Sequence, residues 1–226
     1  MEKRLSPKSS DLTQTSAFLR GEGDNWFKRN RERLTNTSMS TEVLKRTLGN
    51  SLFDIRSILE IGCANGSHLY ELSKTFKAEC YGIDPSSDAI NAGNQDYPSL
   101  NLAVGIGQDL NFSNESFDLV HFGFCLYLFD RSNIFQAVAE ADRVLRAGGF
   151  LAITDFDPNI RNERQYHHLH GLNSFKNSYS DFFTGGGHYY LVAKESFSHA
   201  SQHFAIENDE RVSISVLFKE PNPYLL

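Results

Sequence analysis

Ser57-Ile58-Leu59-Glu60-Ile61-Gly62-Cys63-Ala64-Asn65-Gly66-Ser67-His68, answered downstream by Tyr81-Gly82-Ile83-Asp84, is the stretch that decides the fold. The first run reads as a buried strand that ends in a glycine-bearing turn and opens a helix. Ser67 to Phe76 carries Leu69, Leu72 and Phe76 on one helical face. The second run is a strand that stops on an acid. Asp84 follows the turn at about the ~20-residue interval expected of a carboxylate that accepts hydrogen bonds from ribose hydroxyls. Gly62 tolerates unusual backbone angles and has no Cβ to block a ligand, and Gly66 lets the helix start close to the strand. The arrangement suits an adenosine-type ligand.

Glu60 narrows that ligand further. The turn lacks the Gly-Lys-Ser/Thr of a phosphate-binding loop. It also departs from Gly-x-Gly-x-x-Gly, since its spacing is Gly-x-x-x-Gly with Ala64 between. A turn that receives a pyrophosphate is opposed by a neighbouring carboxylate. A ligand with a cationic amino group is favoured by one, directly or through oriented backbone carbonyls.

Outward from this unit, strands and helices alternate. Ile55 to Ile61 is the first strand, Cys80 to Ile83 the second, Leu100 to Val104 the third and Phe117 to Phe122 the fourth. The fourth is a near-continuous apolar run, as expected of a parallel strand covered on both faces. Pro85 and Ser86 open a helix through Ala92. Asn133 to Arg146 is a helix with Ile134, Val138, Ala141 and Leu145 as its stripe, ended by Ala147-Gly148-Gly149 as a left-handed cap would end it. Phe150 to Thr154 is the fifth strand. The fold class is α/β: a Rossmann-like doubly wound, mostly parallel sheet with an antiparallel late strand.

The flanks are less regular. Residues 1–15 read as a flexible tail, and 16–226 as one domain. Within it, 16–50 form a lid, 51–157 the core, 158–188 a substrate-side insertion and 189–220 the late strands. Thr41 to Leu48 forms a helix capped by Ser40 or Thr41 and ended by Gly49. Asn159 to Gly187 is polar, aromatic and rich in histidine, without a period. Tyr189 to Phe197 and Arg211 to Lys219 read as strands. The 226 residues are 40% hydrophobic, enough for a proper core, and their net charge of −6 argues against nucleic acid or an anionic membrane as main partner. Lys28, Arg29, Arg31 and Arg33 make a local basic patch. No apolar run approaches the ~20 residues of a membrane span, and Met1 to Thr15 lacks the apolar stretch of a secretory signal. Cys63, Cys80 and Cys125 form no CxxC pair, so free thiols in a reducing cytosol are expected.

The ordered set of motifs resembles the class I S-adenosylmethionine-dependent methyltransferases. Leu-Glu-Ile-Gly-Cys-Ala-Asn-Gly is similar to that family's first motif and Tyr-Gly-Ile-Asp to its second. Phe117-Asp118-Leu119-Val120 resembles the start of its fourth strand. Arg143-Val144-Leu145-Arg146-Ala147-Gly148-Gly149 resembles the run before its fifth. The resemblance implies that Glu60, Gly62, Cys63, Ala64 and Gly66 cradle the methionine end of S-adenosylmethionine and that Asp84 holds the ribose. Pro85 and Ser86 border the adenine, and Phe122, Gly123 and Phe124 floor the site. The third motif departs from the pattern: Ile106 stands where an acid is expected, leaving Gly107 with Gln108, Asp109 or backbone to read the adenine. Gly23-Asp24-Asn25-Trp26-Phe27-Lys28-Arg29-Asn30 resembles an element of bacterial methyltransferases of nonulosonic-acid and surface-sugar pathways. By that analogy Trp26, Arg29 and Asn30 fold over the cofactor, and Arg29 meets its carboxylate.

The implied activity is methyl transfer, on oxygen or nitrogen, to a small-molecule or sugar-related acceptor in the cytoplasm. A nicotinamide-dependent oxidoreductase and a non-catalytic cofactor-binding module are the rival readings. His121, His167, His168 and Tyr127 are candidate pocket groups from which a base could come, with no one of them singled out. The cluster of Tyr166, His167, His168 and His170 has no carboxylate partner or helical i, i+4 pair to fix a metal, and none is expected. Nucleic acid and membrane are not expected partners, and assembly as a homodimer is left open.

Overall fold

A computed structural model describes residues 13–34, 39–50 and 52–224. Short helical pieces come first: α1 (Gln14–Ala17), a π-helical turn (Phe18–Glu22), α2 (Gly23–Asn30) and α3 (Met39–Leu48). The alternating part follows as β1 (Ser57–Ile61), α4 (Ser67–Phe76), β2 (Glu79–Asp84), α5 (Ser87–Asp96), β3 (Asn101–Val104), β4 (Phe117–Gly123), α6 (Ile134–Val144) and β5 (Leu145–Phe156). A hairpin of β6 (Asn162–Gln165) and β7 (Asn173–Lys176), a turn of helix α7 (Asp181–Thr184), β8 (Tyr189–Ser198) and β9 (Arg211–Lys219) complete the chain. The main sheet has the order β3-β2-β1-β4-β5-β9-β8. β1 to β5 are parallel, β9 runs antiparallel to β5, and β8 antiparallel to β9.

The period of two along each strand explains why both faces are apolar. Ile58, Leu119, Ala152, Ile214 and Val216 pack against Val43, Leu44 and Leu48 of α3 and Leu69 and Leu72 of α4. Their neighbours Leu59, Ile61, Val120, Phe122, Leu151 and Ile153 pack on the other face with Ala141 and Val144 of α6. Glu60 is in register with His121, and Gly123 with Thr154. Glu60, His121 and Thr154 therefore prolong the α3/α4 face where strands run out at their carboxyl ends. That is the edge at which sheets of this kind bind ligands.

Two expectations need correction, the tail through residue 15 and the helix to Arg146, and two segments gain elements that the sequence left unassigned. Thr13 to Thr15 do not belong to a tail: Thr13 caps α1, and its hydroxyl accepts from Ser16 N. Residues 16–33 are largely helical. The helix expected to reach Arg146 ends at Val144, because Leu145 is already extended and begins β5; Gly148 does adopt a left-handed angle, φ 75°, but inside that strand. Residues 159–187 contain the β6–β7 hairpin, whose short polar strands gave no periodic signal.

Candidate active site

The turn after β1 is fastened to β2 by backbone. Gly62 N and Cys63 N both donate to Ile83 O, at 2.8 and 3.1 Å. Gly62 has φ 78°, and a Cβ there would stand 2.7 Å from the Cys125 Cβ. Ala64 also has a positive φ, 47°, held by its N–H donating to Asp84 Oδ2 at 2.9 Å. Asp84 Oδ1 accepts from Ser86 N at 2.8 Å. Burial pushes the Asp84 carboxyl up to about 6, and the two backbone N–H groups limit the rise. Gly66, the left-handed residue before α4, lies against Leu100 and Leu102 and serves packing.

Below the turn, Glu60 is buried and anchors a hydrogen-bonded chain. Its Oε1 is 2.7 Å from His68 Nδ1 and 3.1 Å from His121 Nδ1. His121 Nε2 lies 2.9 Å from Thr154 Oγ1, which lies 2.8 Å from Ser40 Oγ on α3. Burial alone would raise the Glu60 pKa, but the two imidazoles hold it down to about 2. Burial also lowers the His121 pKa, and Glu60 opposes that shift. A neutral His121 donating Nδ1–H to Glu60 and accepting the Thr154 hydroxyl satisfies both rings of contacts. Glu60 Oε2 and His68 Nε2 are buried without a hydrogen-bond partner. Glu60, His68 and His121 each place a ligand atom within 4.8 Å of the others. That donor set suits a first-row divalent cation, but both Nδ1 atoms are already engaged by the carboxylate.

The N-terminal helices cover the turn and are pinned at two points. Asp130 accepts from Gln14 N at 2.8 Å and Thr15 N at 3.0 Å, capping α1. Asp24 accepts from Ser86 Oγ at 2.8 Å and Asp88 N at 3.0 Å, fixing α2 to the start of α5. Two clefts result. The first runs between the cover and the strand ends, along Asp84, Pro85, Ile106, Gly107 and Gln108. The second opens over Glu60, His68, His121 and Thr154, walled by Met39, Phe197 and His199. Trp26, Gly62, Gly123 and Phe124 border both clefts.

Residues 58–149 match the model of a family described as "Methyltransferase domain". That segment, less than half of the chain, is similar to a methyltransferase domain. Over 122 residues it is 32% identical to a fatty-acid O-methyltransferase of Mycolicibacterium smegmatis, covering 53% of this chain and 44% of that protein. It is 33% identical over 110 residues to a phthiotriol/phenolphthiotriol dimycocerosates methyltransferase of Mycobacterium leprae, covering 46% of this chain and 39% of that one. The matches thus span less than half of these curated relatives. Among solved structures, a Burkholderia thailandensis 1,6-didemethyltoxoflavin-N1-methyltransferase shares the fold with a TM-score of 0.69 at 14% identity, over 97% of this chain and 93% of that one. The N-methyltransferase NodS of Bradyrhizobium japonicum shares it with a TM-score of 0.63 at 18% identity, over 92% and 99%.

The fold brings most of the expected residues to the clefts. Trp26, Asn30, Glu60, Gly62, Cys63, Ala64, Asp84, Pro85, Gly107, Gln108, Gly123 and Phe124 line one or both. Four do not. The Arg29 guanidinium is taken up by buried Glu22 at 2.5 Å and by Tyr166 Oη at 3.0 Å, so it ties α2 to the insertion. Ser86 caps α5 with its hydroxyl, Phe122 is in the core, and Gly66 faces leucines. Of the base candidates, only His121 lines a cleft, and it is spent on Glu60 and Thr154. Tyr127 is a core residue, and His167 and His168 lie outside both clefts, with His168 edge-on to Tyr166. Sequence reasoning missed Gln14, Thr15 and Phe18 of the cover, and Ser40, His68, Thr154 and His199 of the second cleft. His68 could have been found, since it stands two residues after Gly66 on the helix that the motif opens.

Proposed function

We propose that this domain transfers a methyl group from S-adenosylmethionine, held in the first cleft, to a small acceptor held in the second. The observation that carries the reading is Asp84. Its carboxylate closes β2 beside the first cleft, oriented by Ala64 N and Ser86 N, where ribose hydroxyls would find an acceptor. The residues fit the cofactor in one further respect: the buried, ionised Glu60 puts negative charge beneath the turn, beside the Gly123 backbone. A cationic amino group is favoured there. Ile106 reads no adenine amino group, so Gln108 and backbone at Gly105 and Gly107 take that edge of the cleft.

When bound, the cofactor supplies a methyl group on a sulfonium, already a good leaving group. The protein's task is placement and exclusion of water. Trp26, Phe124 and the covering helices shield the boundary between the clefts, and the Asp24 and Asp130 caps hold the cover in place. The second cleft has apolar walls in Met39, Phe197 and Val212 over a polar floor of Ser40 and Thr154 hydroxyls. Such a cleft favours an acceptor with an apolar or aromatic body over a bare sugar, and the named relatives that act on lipids point the same way. Parallel calorimetric titrations with S-adenosylhomocysteine and NAD⁺ test the reading: saturable binding of the first alone is expected. Binding of NAD⁺ without S-adenosylhomocysteine would favour an oxidoreductase.

A further inference from the structure

Among the described residues, the histidine that lines a cleft without a hydrogen bond from its ring is His199. It follows β8, its backbone N donates to Glu210 O at 2.8 Å, and it lines the second cleft. The ring lies stacked on Phe124, centroids 5.5 Å apart at 22°, and against Phe156 at 5.4 Å. Phe124 holds a left-handed backbone angle, φ 61°, so the chain presents this ring at the boundary at a conformational cost. His68 and His121 are tied to Glu60, whereas His199 offers an open imidazole nitrogen on the acceptor side.

We propose that His199 is the catalytic base that takes the proton from a phenolic hydroxyl, and that the acceptor is therefore a hydroxylated aromatic compound. The aromatic surfaces of Trp26, Phe124, Phe197 and His199 suit a planar ring. The proposal rests on methyl transfer across the cleft boundary. The acceptor oxygen donates an electron pair to form the O–CH₃ bond as the C–S bond breaks and its pair passes to sulfur. The phenolic proton goes to the neutral His199 nitrogen, and the imidazolium then releases it to solvent. The groups that set this histidine's charge are Glu210 on one side and Lys176 and Arg33 on the other. Desolvation, with the two cations, lowers its pKa against the pull of Glu210.

The test uses the whole chain saturated with S-adenosylhomocysteine and 4-nitrophenol as probe, whose phenolate absorbs visible light and whose phenol does not. At a pH below the probe's own pKa, the wild type is expected to raise the phenolate fraction on binding. His199→Phe, which keeps the stack on Phe124, loses that gain, and so does His199→Gln, which keeps polarity. Both variants retain the wild-type affinity for S-adenosylhomocysteine by calorimetry. No rise in phenolate with the wild type, or an equal rise with either variant, overturns the proposal. Failure of the wild type to bind S-adenosylhomocysteine overturns instead the reading of the first cleft on which it stands.

Discussion

Replacing Asp84 with Ala separates cofactor recognition from fold. The carboxylate is nearly buried, and both of its oxygens are oriented by backbone donors. Hydrogen bonds to a charged group contribute about 1.5–3 kcal/mol. At about 1.4 kcal/mol per tenfold, Asp84→Ala is expected to weaken S-adenosylhomocysteine binding roughly 10- to 150-fold. The wild type carries a second signature. Because burial pushes the Asp84 pKa up to about 6, the ionised fraction at pH 5 is about one in eleven. Affinity should therefore rise roughly tenfold from pH 5 to pH 7 as the carboxyl loses its proton, while the variant shows no such rise. Isothermal titration calorimetry at both pH values, with circular dichroism to verify folding, measures all four constants. A folded Asp84→Ala variant with wild-type affinity would refute the ribose assignment, and a flat wild-type profile would refute the protonation reasoning.

Gly62→Ala forces a Cβ to within 2.7 Å of the Cys125 Cβ at φ 78°. The left-handed angle costs about 1–2 kcal/mol and the overpacking about 1–3 kcal/mol, so thermal unfolding should shift down by several degrees. Adding Cys125→Ala relieves only the Sγ contact and should recover part of the loss; no recovery would place the strain elsewhere. Asp155 is buried on β5, and burial pushes its pKa up to about 7 despite N–H donors from Phe156 and Tyr127. Its folded pKa exceeds the unfolded one, so its contribution to stability is full below about 4 and lost as pH rises through 7. Asp155→Asn should therefore gain stability relative to wild type at pH 8 compared with pH 5, by on the order of 1–4 kcal/mol. Denaturant titration showing an equal difference at both pH values would contradict this.

The alternating core was legible because its signals are local. Ile58 to Ile61 and Phe117 to Phe122 are apolar on both faces, and Gly62, Gly66 and Asp84 stand at intervals set by one strand–turn–helix–strand unit. The helix boundary at Val144 was not legible, since Leu145 continues the helical stripe and becomes the first residue of β5 only through pairing with Phe117. The β6–β7 hairpin is polar on both faces and gives no period. In the candidate site, residues within the motif were readable, whereas those brought in by long-range contacts were not. Ser40 meets Thr154 across 114 positions. His199 reaches Phe124 from a loop after an edge strand. Arg29 was misplaced because a buried carboxylate on the same cover, Glu22, competes for it; nothing in the local spacing reveals that Glu22 is buried.

A crystal structure with S-adenosylhomocysteine bound tests the cofactor cleft most directly. The ribose hydroxyls are expected within hydrogen-bond distance of Asp84, the amino group over the Glu60 end of the turn, and the sulfur at the boundary formed by Trp26, Gly62, Gly123 and Phe124. A ligand bound elsewhere, or one whose ribose makes no contact with Asp84, would contradict the assignment.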